Sequence, residues 1–239
     1  MKGKVKQVLK KLLGEVMLGM LDYYRFPSWR APGKAFNDQR VRQQIFVEML
    51  NHSHPEALVE TGTFHGTTTE FMASITPIPL FSVEYANRNY VFAKIRLRRF
   101  SNIELHCGDS RDYLRELMRT RRLPSGRIFF YLDAHWGEDL PLADEIELIF
   151  SSRPNAIVMI DDFQVPWDQG YGYDDYGPNK ALVQEYIAPL VERYQLAQFY
   201  PSVPSIQETG SKRGCVVLAK DTAIIGFLRE IPLLREYPA

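Results

Sequence analysis

Short apolar runs recur along the chain, and most are followed by a longer stretch with helical apolar spacing. "ALVET" (57–61) precedes a helical pattern starting near Thr67, and "LFSVE" (80–84) precedes "NRNYVFAKIRLRRF". "IELH" (103–106) precedes "SRDYLRELMRT", and "IFFYLD" (128–133) precedes "LADEIELIF". "AIVMIDD" (156–162) leads through a long loop to "KALVQEYIAPLVERY". Near-continuous apolar runs alternating with helices predict a doubly wound α/β fold, its mostly parallel sheet covered on both faces. "LAQFYP" (196–201) and "GCVVLAK" (214–220) are joined by a polar linker without helical spacing. They predict a closing hairpin-like pair with one strand antiparallel to the rest.

Ahead of this body, "QRVRQQIFVEML" (39–50) reads as an amphipathic helix, and "RFPSWRAPGKAFNDQ" with Pro27, Pro32 and Gly33 reads as a loop. The opening "MKGKVKQVLKKLLGEVMLGML" reads as an amphipathic helix, not a leader or a span, because Glu15 interrupts a short apolar run. Its face with Val5, Leu9, Leu12, Leu13 and Val16 is expected to pack on the body or on a second copy in a homodimer. Residues 1–50 thus form an N-terminal helical extension and loop, and 51–239 the α/β domain.

Charge changes the picture only locally. The 29 basic and 29 acidic residues cancel, which disfavours a nucleic-acid partner. The lysines at 2, 4, 6, 10 and 11 and the arginines at 96, 98, 99, 119, 121 and 122 read as solvated helix faces. Cys107 and Cys215 supply neither a disulfide framework nor metal spacing, which points to a reducing, cytoplasmic setting. The acids are more informative. Glu60, Glu84, Asp109, Asp133 and the pair Asp161–Asp162 all fall at predicted strand ends, where open α/β sheets bind ligands.

Gly62 and Gly66 allow a tight turn after the first strand, and the next helix start offers free N–H groups. Glu84, ending the second strand, is placed to accept hydrogen bonds from ribose hydroxyls. "GTFHG" lacks the G-x-G-x-x-G fingerprint of dinucleotide binding. Glu60 before the turn would repel a pyrophosphate and suits a cationic or zwitterionic ligand.

The run Glu60, Thr61, Gly62, Thr63, Phe64, His65, Gly66, Thr67, Thr68 resembles the E-x-G-x-[aromatic]-x-G-x-[Ser/Thr] motif of class I S-adenosylmethionine-dependent methyltransferases. It is most similar to metal-dependent O-methyltransferases of the catechol, caffeoyl-CoA and antibiotic-sugar types. The resemblance implies a Rossmann-like, seven-stranded sheet with its last strand antiparallel. It further implies that the glycine turn holds the methionine part of the cofactor, Glu84 the ribose, and Asp109 with Ser110 the adenine side. Asp133 borders the cofactor in the same pattern. Asp133, Asp161 and Asp162 end successive strands and suit Mg²⁺ or another divalent cation, as the acids at these places do in the resembled enzymes.

The expected chemistry is metal-assisted methyl transfer to a hydroxylated small molecule, such as a sugar or a glycosylated natural product. His135, two residues past Asp133, is the candidate base, and Trp136 a candidate pocket wall. "QVPWDQGYGYDDYGPNK" (164–180) is expected to cover the substrate, with "FPSWRAPGKAF" opposite. His65 shapes the turn, His52 and His54 face solvent at a helix end, and His106 ends a strand. Three other readings stand beside this one: an RNA methyltransferase, a metal-dependent nucleotide-sugar glycosyltransferase, and a non-catalytic cofactor-binding protein.

Overall fold

The computed structural model describes residues 2–25, 34–134 and 139–238, without the side chains of 2–13. The chain enters through α1 (Lys2–Arg25) and α2 (Arg40–Ser53). It then alternates: β1 (Ala57–Thr61), α3 (Thr67–Ile75), β2 (Leu80–Glu84), α4 (Asn87–Leu97), β3 (Ile103–Cys107) and α5 (Ser110–Thr120). β4 (Ile128–Leu132), α6 (Leu142–Ser152), β5 (Ile157–Asp161) and α7 (Gln184–Tyr194) continue the pattern. β6 (Ala197–Pro201), β7 (Cys215–Ala219), α8 (Thr222–Glu230) and β8 (Leu234–Glu236) close it.

The described strands form one sheet in the order β3-β2-β1-β4-β5-β7-β6-β8. β1 to β5 pair in parallel. β7 runs antiparallel to β5 and β6, and β8 antiparallel to β6. The doubly wound sheet and the closing hairpin are therefore as expected. The eighth strand is additional, as is α8, whose start is capped by Asp221 accepting from the Ala223 and Ile224 amides. Both follow the last long apolar run, where the pattern is short and weak.

β1, β2, β4, β5 and β7 are buried along their whole length, which is why they read as continuous apolar runs. Alternation divides them between two cores. Val59, Phe130 and Ile160 face Leu114, Ile146 and Ile187 of α5, α6 and α7. Leu58, Phe129 and Met159 face Phe46, Met72 and Ile224 of α2, α3 and α8. Glu60, Ser82 and Asp161 share the parity of the second set, so their side chains are carried into that side of the sheet.

Part of the N-terminal extension belongs to the second core. α2 runs across residue 50 and buries Ile45, Phe46 and Met49 completely. Ahead of it, Phe36 has 0% exposure and packs on Phe46, Phe71 and Tyr131 at centroid distances of 5.2, 5.7 and 5.1 Å. Burying such a ring is worth about 1.5–3 kcal/mol. Phe36 is thus a core plug, and residues 26–33, the rest of the segment expected as the opposite pocket wall except Lys34 and Ala35, lie outside the described residues.

α1 lies along α4, with Tyr23 edge-on to Phe92 at 5.3 Å and Asp22 paired with Arg88. Gly19 permits the approach, since a Cβ there would stand 2.4 Å from the Arg88 carbonyl oxygen. Met17, Met20, Leu21 and Tyr24 remain exposed on the outer side. Of the apolar face expected to be covered, Val5, Leu9, Leu12 and Leu13 lie outside the described side chains, and Val16 is half-buried. No helix among the described residues is long and apolar enough to cross a membrane.

Candidate active site

The ends of β1, β2 and β3 and the start of α5 enclose a cleft of roughly 390 Å³. Its lining includes Gly62, Phe64, Glu84, Asp109 and Ser110, all singled out from the sequence. Tyr85, Asn89, Arg111 and Asp139 also line it and were not anticipated. Glu84 sits at the floor, 6% exposed. One carboxylate oxygen accepts from the Phe64 amide at 2.7 Å, and the other from the Ala86 amide at 2.9 Å and Asn89 at 3.4 Å. Burial raises the Glu84 pKa, and these hydrogen bonds oppose the rise. Its carboxylate is thereby fixed in orientation. The oxygen bonded to Phe64 retains acceptor capacity toward a ribose hydroxyl.

The opposite wall begins at Asp109, which caps α5 through the Arg111 amide at 2.9 Å. The Arg111 guanidinium holds Asp109 below the usual carboxylate range and reaches across to Asp139 at 2.7 Å. Tyr85, 78% exposed, presents an aromatic ring at the rim. The cleft thus combines a carboxylate floor, an aromatic edge and a capped helix start.

Gly62 and Gly66 both have positive φ, 84° and 73°. A Cβ on Gly62 would lie 2.1 Å from the Asp133 carbonyl oxygen, and one on Gly66 3.0 Å from Leu97 Cδ1. The glycine spacing is therefore already explained by the meeting of β1 with β4 and of the turn with α4. Ligand approach is not needed to account for it. His65 is stacked between Phe64 and Phe92 at 3.9 and 4.1 Å, so it shapes the turn as expected.

The remaining motif residues do not line the cleft. Glu60 and Thr61 are buried in the sheet, 1% and 0% exposed. Glu60 accepts from the Thr69 and Ser82 hydroxyls, and Thr63 shares a hydrogen bond with Ser82. Thr67 starts α3, and Thr68 accepts from the Phe36 amide at 3.1 Å. Burial pushes Glu60 up to about 7. Glu145 of α6, which the sequence did not flag, is likewise pushed to about 7 by burial, against the pull of the Ser110 and Thr61 hydroxyls. Asp133, beside Gly62, is held well above the usual range by burial and by the charges of Asp162 and Glu60.

The expected metal ligands are arranged differently from the expectation. Asp161, 1% exposed, forms a buried ion pair with Arg42, which is equally buried. It also accepts from the Tyr131 hydroxyl at 2.6 Å and from Asn37 at 3.3 Å. Asp162 has a φ of 51° and turns instead to Arg213, whose Nε donates at 2.9 Å. Arg213 also pairs with Asp174. No group of three or more His, Cys, Asp or Glu among the described residues is placed to hold a metal ion. Strand alternation carries Asp161 inward to α2, so adjacent sequence positions do not become adjacent ligands. These residues do not fit a divalent ion.

The segment following β5 is bound to the body. Phe163, Val165 and Tyr171 are buried, the Asp174 amide donates to the Asp162 carbonyl at 2.9 Å, and Gly172 bridges to Lys212 and Gly214. Tyr176 donates to Asp174. His135 and Trp136, expected as base and pocket wall, lie outside the described residues. His52 and His54 are exposed at the end of α2, and His106 lies in β3 against Tyr113 at 4.5 Å.

No protein-family model matches the chain, and no curated protein sequence does. Solved structures do. TomG, an O-methyltransferase from Streptomyces achromogenes in complex with S-adenosylmethionine, is 17% identical, with 76% of this chain and 79% of that one covered, at a TM-score of 0.51. An O-methyltransferase from Bacillus cereus in complex with S-adenosylhomocysteine is 14% identical, with 89% and 91% covered, at 0.55. CalS10, an amino pentose methyltransferase from Micromonospora echinaspora, is 14% identical, with 81% and 95% covered, at 0.52. Likeness of architecture at such low identity, together with the strand order, shows that the chain has the Rossmann-like α/β fold of these solved methyltransferase structures.

Proposed function

We propose that the protein binds S-adenosylmethionine in this cleft and transfers its methyl group to a hydroxyl of a small molecule. The observation that carries the reading is the placement of Glu84: a buried, oriented carboxylate at the floor of a nucleoside-sized cleft. Glu84 receives the ribose hydroxyls, Tyr85 lies against the adenine face, and Asp109 with Ser110 borders its edge. Toward Gly62 the acids crowd: besides burial, the charges of Asp162 and Glu60 raise the Asp133 pKa, and that of Glu84 raises the Glu60 pKa. A cationic ligand end relieves that repulsion, whereas a pyrophosphate would add to it. This preference separates S-adenosylmethionine from NAD and from nucleotide sugars.

The bound cofactor supplies a methyl group on a sulfonium, open to in-line displacement by an oxygen nucleophile. The protein's part is to hold the acceptor hydroxyl in line, to keep water out, and to take its proton. His135 is the proposed base, from its position two residues beyond Asp133. The loop from Phe163 to Val183, with Asp174, Tyr176 and Arg213, is proposed as the acceptor side, where polar groups suit a hydroxylated ring.

An RNA acceptor is less favoured. Arg96 and Arg99 pair with Glu70, and Arg122 pairs with Glu104 and Glu116, so much of the second basic zone is neutralised. For a glycosyltransferase that holds a diphosphate through a metal, no fitting carboxylate cluster is found among the described residues. The test is to incubate the protein with methyl-labelled S-adenosylmethionine and a panel of hydroxylated sugars, phenols and RNA. Labelled methyl ether formed in step with S-adenosylhomocysteine is the expected result. Labelled RNA with no labelled small molecule would replace this reading.

A further inference from the structure

The geometry points to a guanidinium-neutralised acid centre at the end of β5, in which Arg42 and Arg213 occupy the role expected of a divalent cation on Asp161 and Asp162. The inference concerns charge balance and metal binding, so it holds or fails independently of methyl transfer.

Asp161 is the clearest case. It is the last residue of β5, it is buried, and its oxygens already face three donors: the Arg42 guanidinium, the Tyr131 hydroxyl at 2.6 Å and the Asn37 amide at 3.3 Å. A cation needs lone pairs that no hydrogen occupies, and Mg²⁺ further demands near-octahedral oxygen ligation. Donors converging on this carboxylate exclude that arrangement. Asp162 is engaged at Oδ1, by Arg213 Nε at 2.9 Å and by Asn37 at 3.3 Å. The second guanidinium edge goes to Asp174.

The two arginines are also fastened to one another. Arg42 donates to the Arg213 carbonyl oxygen, and Gln39 grips the same residue twice, donating to that carbonyl at 2.8 Å and accepting from its amide at 2.7 Å. Arg42 and its neighbour Val41 are held in turn by Glu208, which accepts from both amides at 3.1 Å. Neither guanidinium is placed by a single contact. A divalent ion entering here would meet two fixed positive groups and displace several hydrogen bonds. The chemical consequence, if the methyltransferase reading holds, is that the acceptor is not bound by chelation and need not present two neighbouring oxygens.

Two measurements on the full chain test this. Titration with Mn²⁺, read by the paramagnetic resonance of the free ion, is expected to show no saturable site tighter than about 1 mM, and Mg²⁺ is expected to leave Tm unchanged. A stoichiometric Mn²⁺ site that Asp162→Asn weakens about tenfold or more would overturn the proposal. The second measurement is a thermal double-mutant cycle. Arg42→Met and Asp161→Asn should each lower Tm, and the double variant should recover much of the loss, since an unpaired buried charge costs more than an absent pair. Additive losses would overturn the pairing. Should the Arg42 variants fail to fold, Arg213→Met with Asp162→Asn runs the same cycle on the half-buried pair, where the same two outcomes decide.

Discussion

Gly62 lies so close to Asp133 that a Cβ on it would stand 2.1 Å from the Asp133 carbonyl oxygen, at a φ of 84° that side chains rarely adopt. The turn after β1 and the end of β4 are therefore built against each other. Gly62→Ala should destabilise the protein by about 2–5 kcal/mol, from left-handed backbone strain and overlap with backbone. Urea denaturation without ligand measures it. A change below about 0.5 kcal/mol would show that the turn has room and that the glycine serves something else.

Ligand binding is better tested at Glu84. Glu84→Gln keeps the shape of the side chain while removing charge. It should weaken S-adenosylmethionine by about 10- to 100-fold, in keeping with hydrogen bonds to a charged acceptor. The amides of Phe64 and Ala86 now share a poorer acceptor set, so a loss of stability of about 1 kcal/mol should accompany it. Calorimetric titration and a melting curve separate the two effects.

Glu60 and Glu145 make stability depend on pH. Each has its pKa raised by burial from 4.5 to about 7. Between those values the folded state holds protons that the unfolded state has released, so stability falls as pH rises through the window. The loss is at most about 3 kcal/mol per group, and it is complete above about pH 7. Glu60→Gln keeps an acceptor for Thr69 and Ser82 and removes the ionisable group. It should flatten part of this slope and raise stability at pH 8. An unchanged slope would mean that Glu60 is ionised throughout.

The base assignment gives a different signature. His135→Ala should leave cofactor affinity intact and lower kcat by about 10²–10⁴-fold once an acceptor is in hand. A parent protein that uses this base should lose kcat below neutral pH, and that decline should vanish with the substitution. Retention of full turnover would move the base elsewhere, with the polar groups around Asp174 and Tyr176 the next to test.

The parts of this protein that were legible in the sequence are those set by local pattern. β1, β2, β4 and β5 are buried on both faces, and continuous apolar runs record that directly. Glu84 and Asp109 were found because strand ends can be counted, and both line the cleft. Arg42 was not legible. On an amphipathic helix it reads as a solvent-facing residue, and only packing of α2 across the sheet turns it toward Asp161. The same packing explains the metal expectation. Three acids at successive strand ends are one pattern in sequence, but alternation sends Asp161 inward and a positive φ sends Asp162 toward Arg213. Arg111 and Asp139 are joined across the cleft by a contact that has no local signature at all.

The most direct test of the account is calorimetric titration of the protein with S-adenosylmethionine, NAD and a UDP-sugar, each in excess chelator. S-adenosylmethionine should bind with one-to-one stoichiometry, the other two should not bind measurably, and Glu84→Gln should weaken the one that does. No heat with S-adenosylmethionine in a folded protein, or tighter binding of NAD that depends on Glu84, would contradict it.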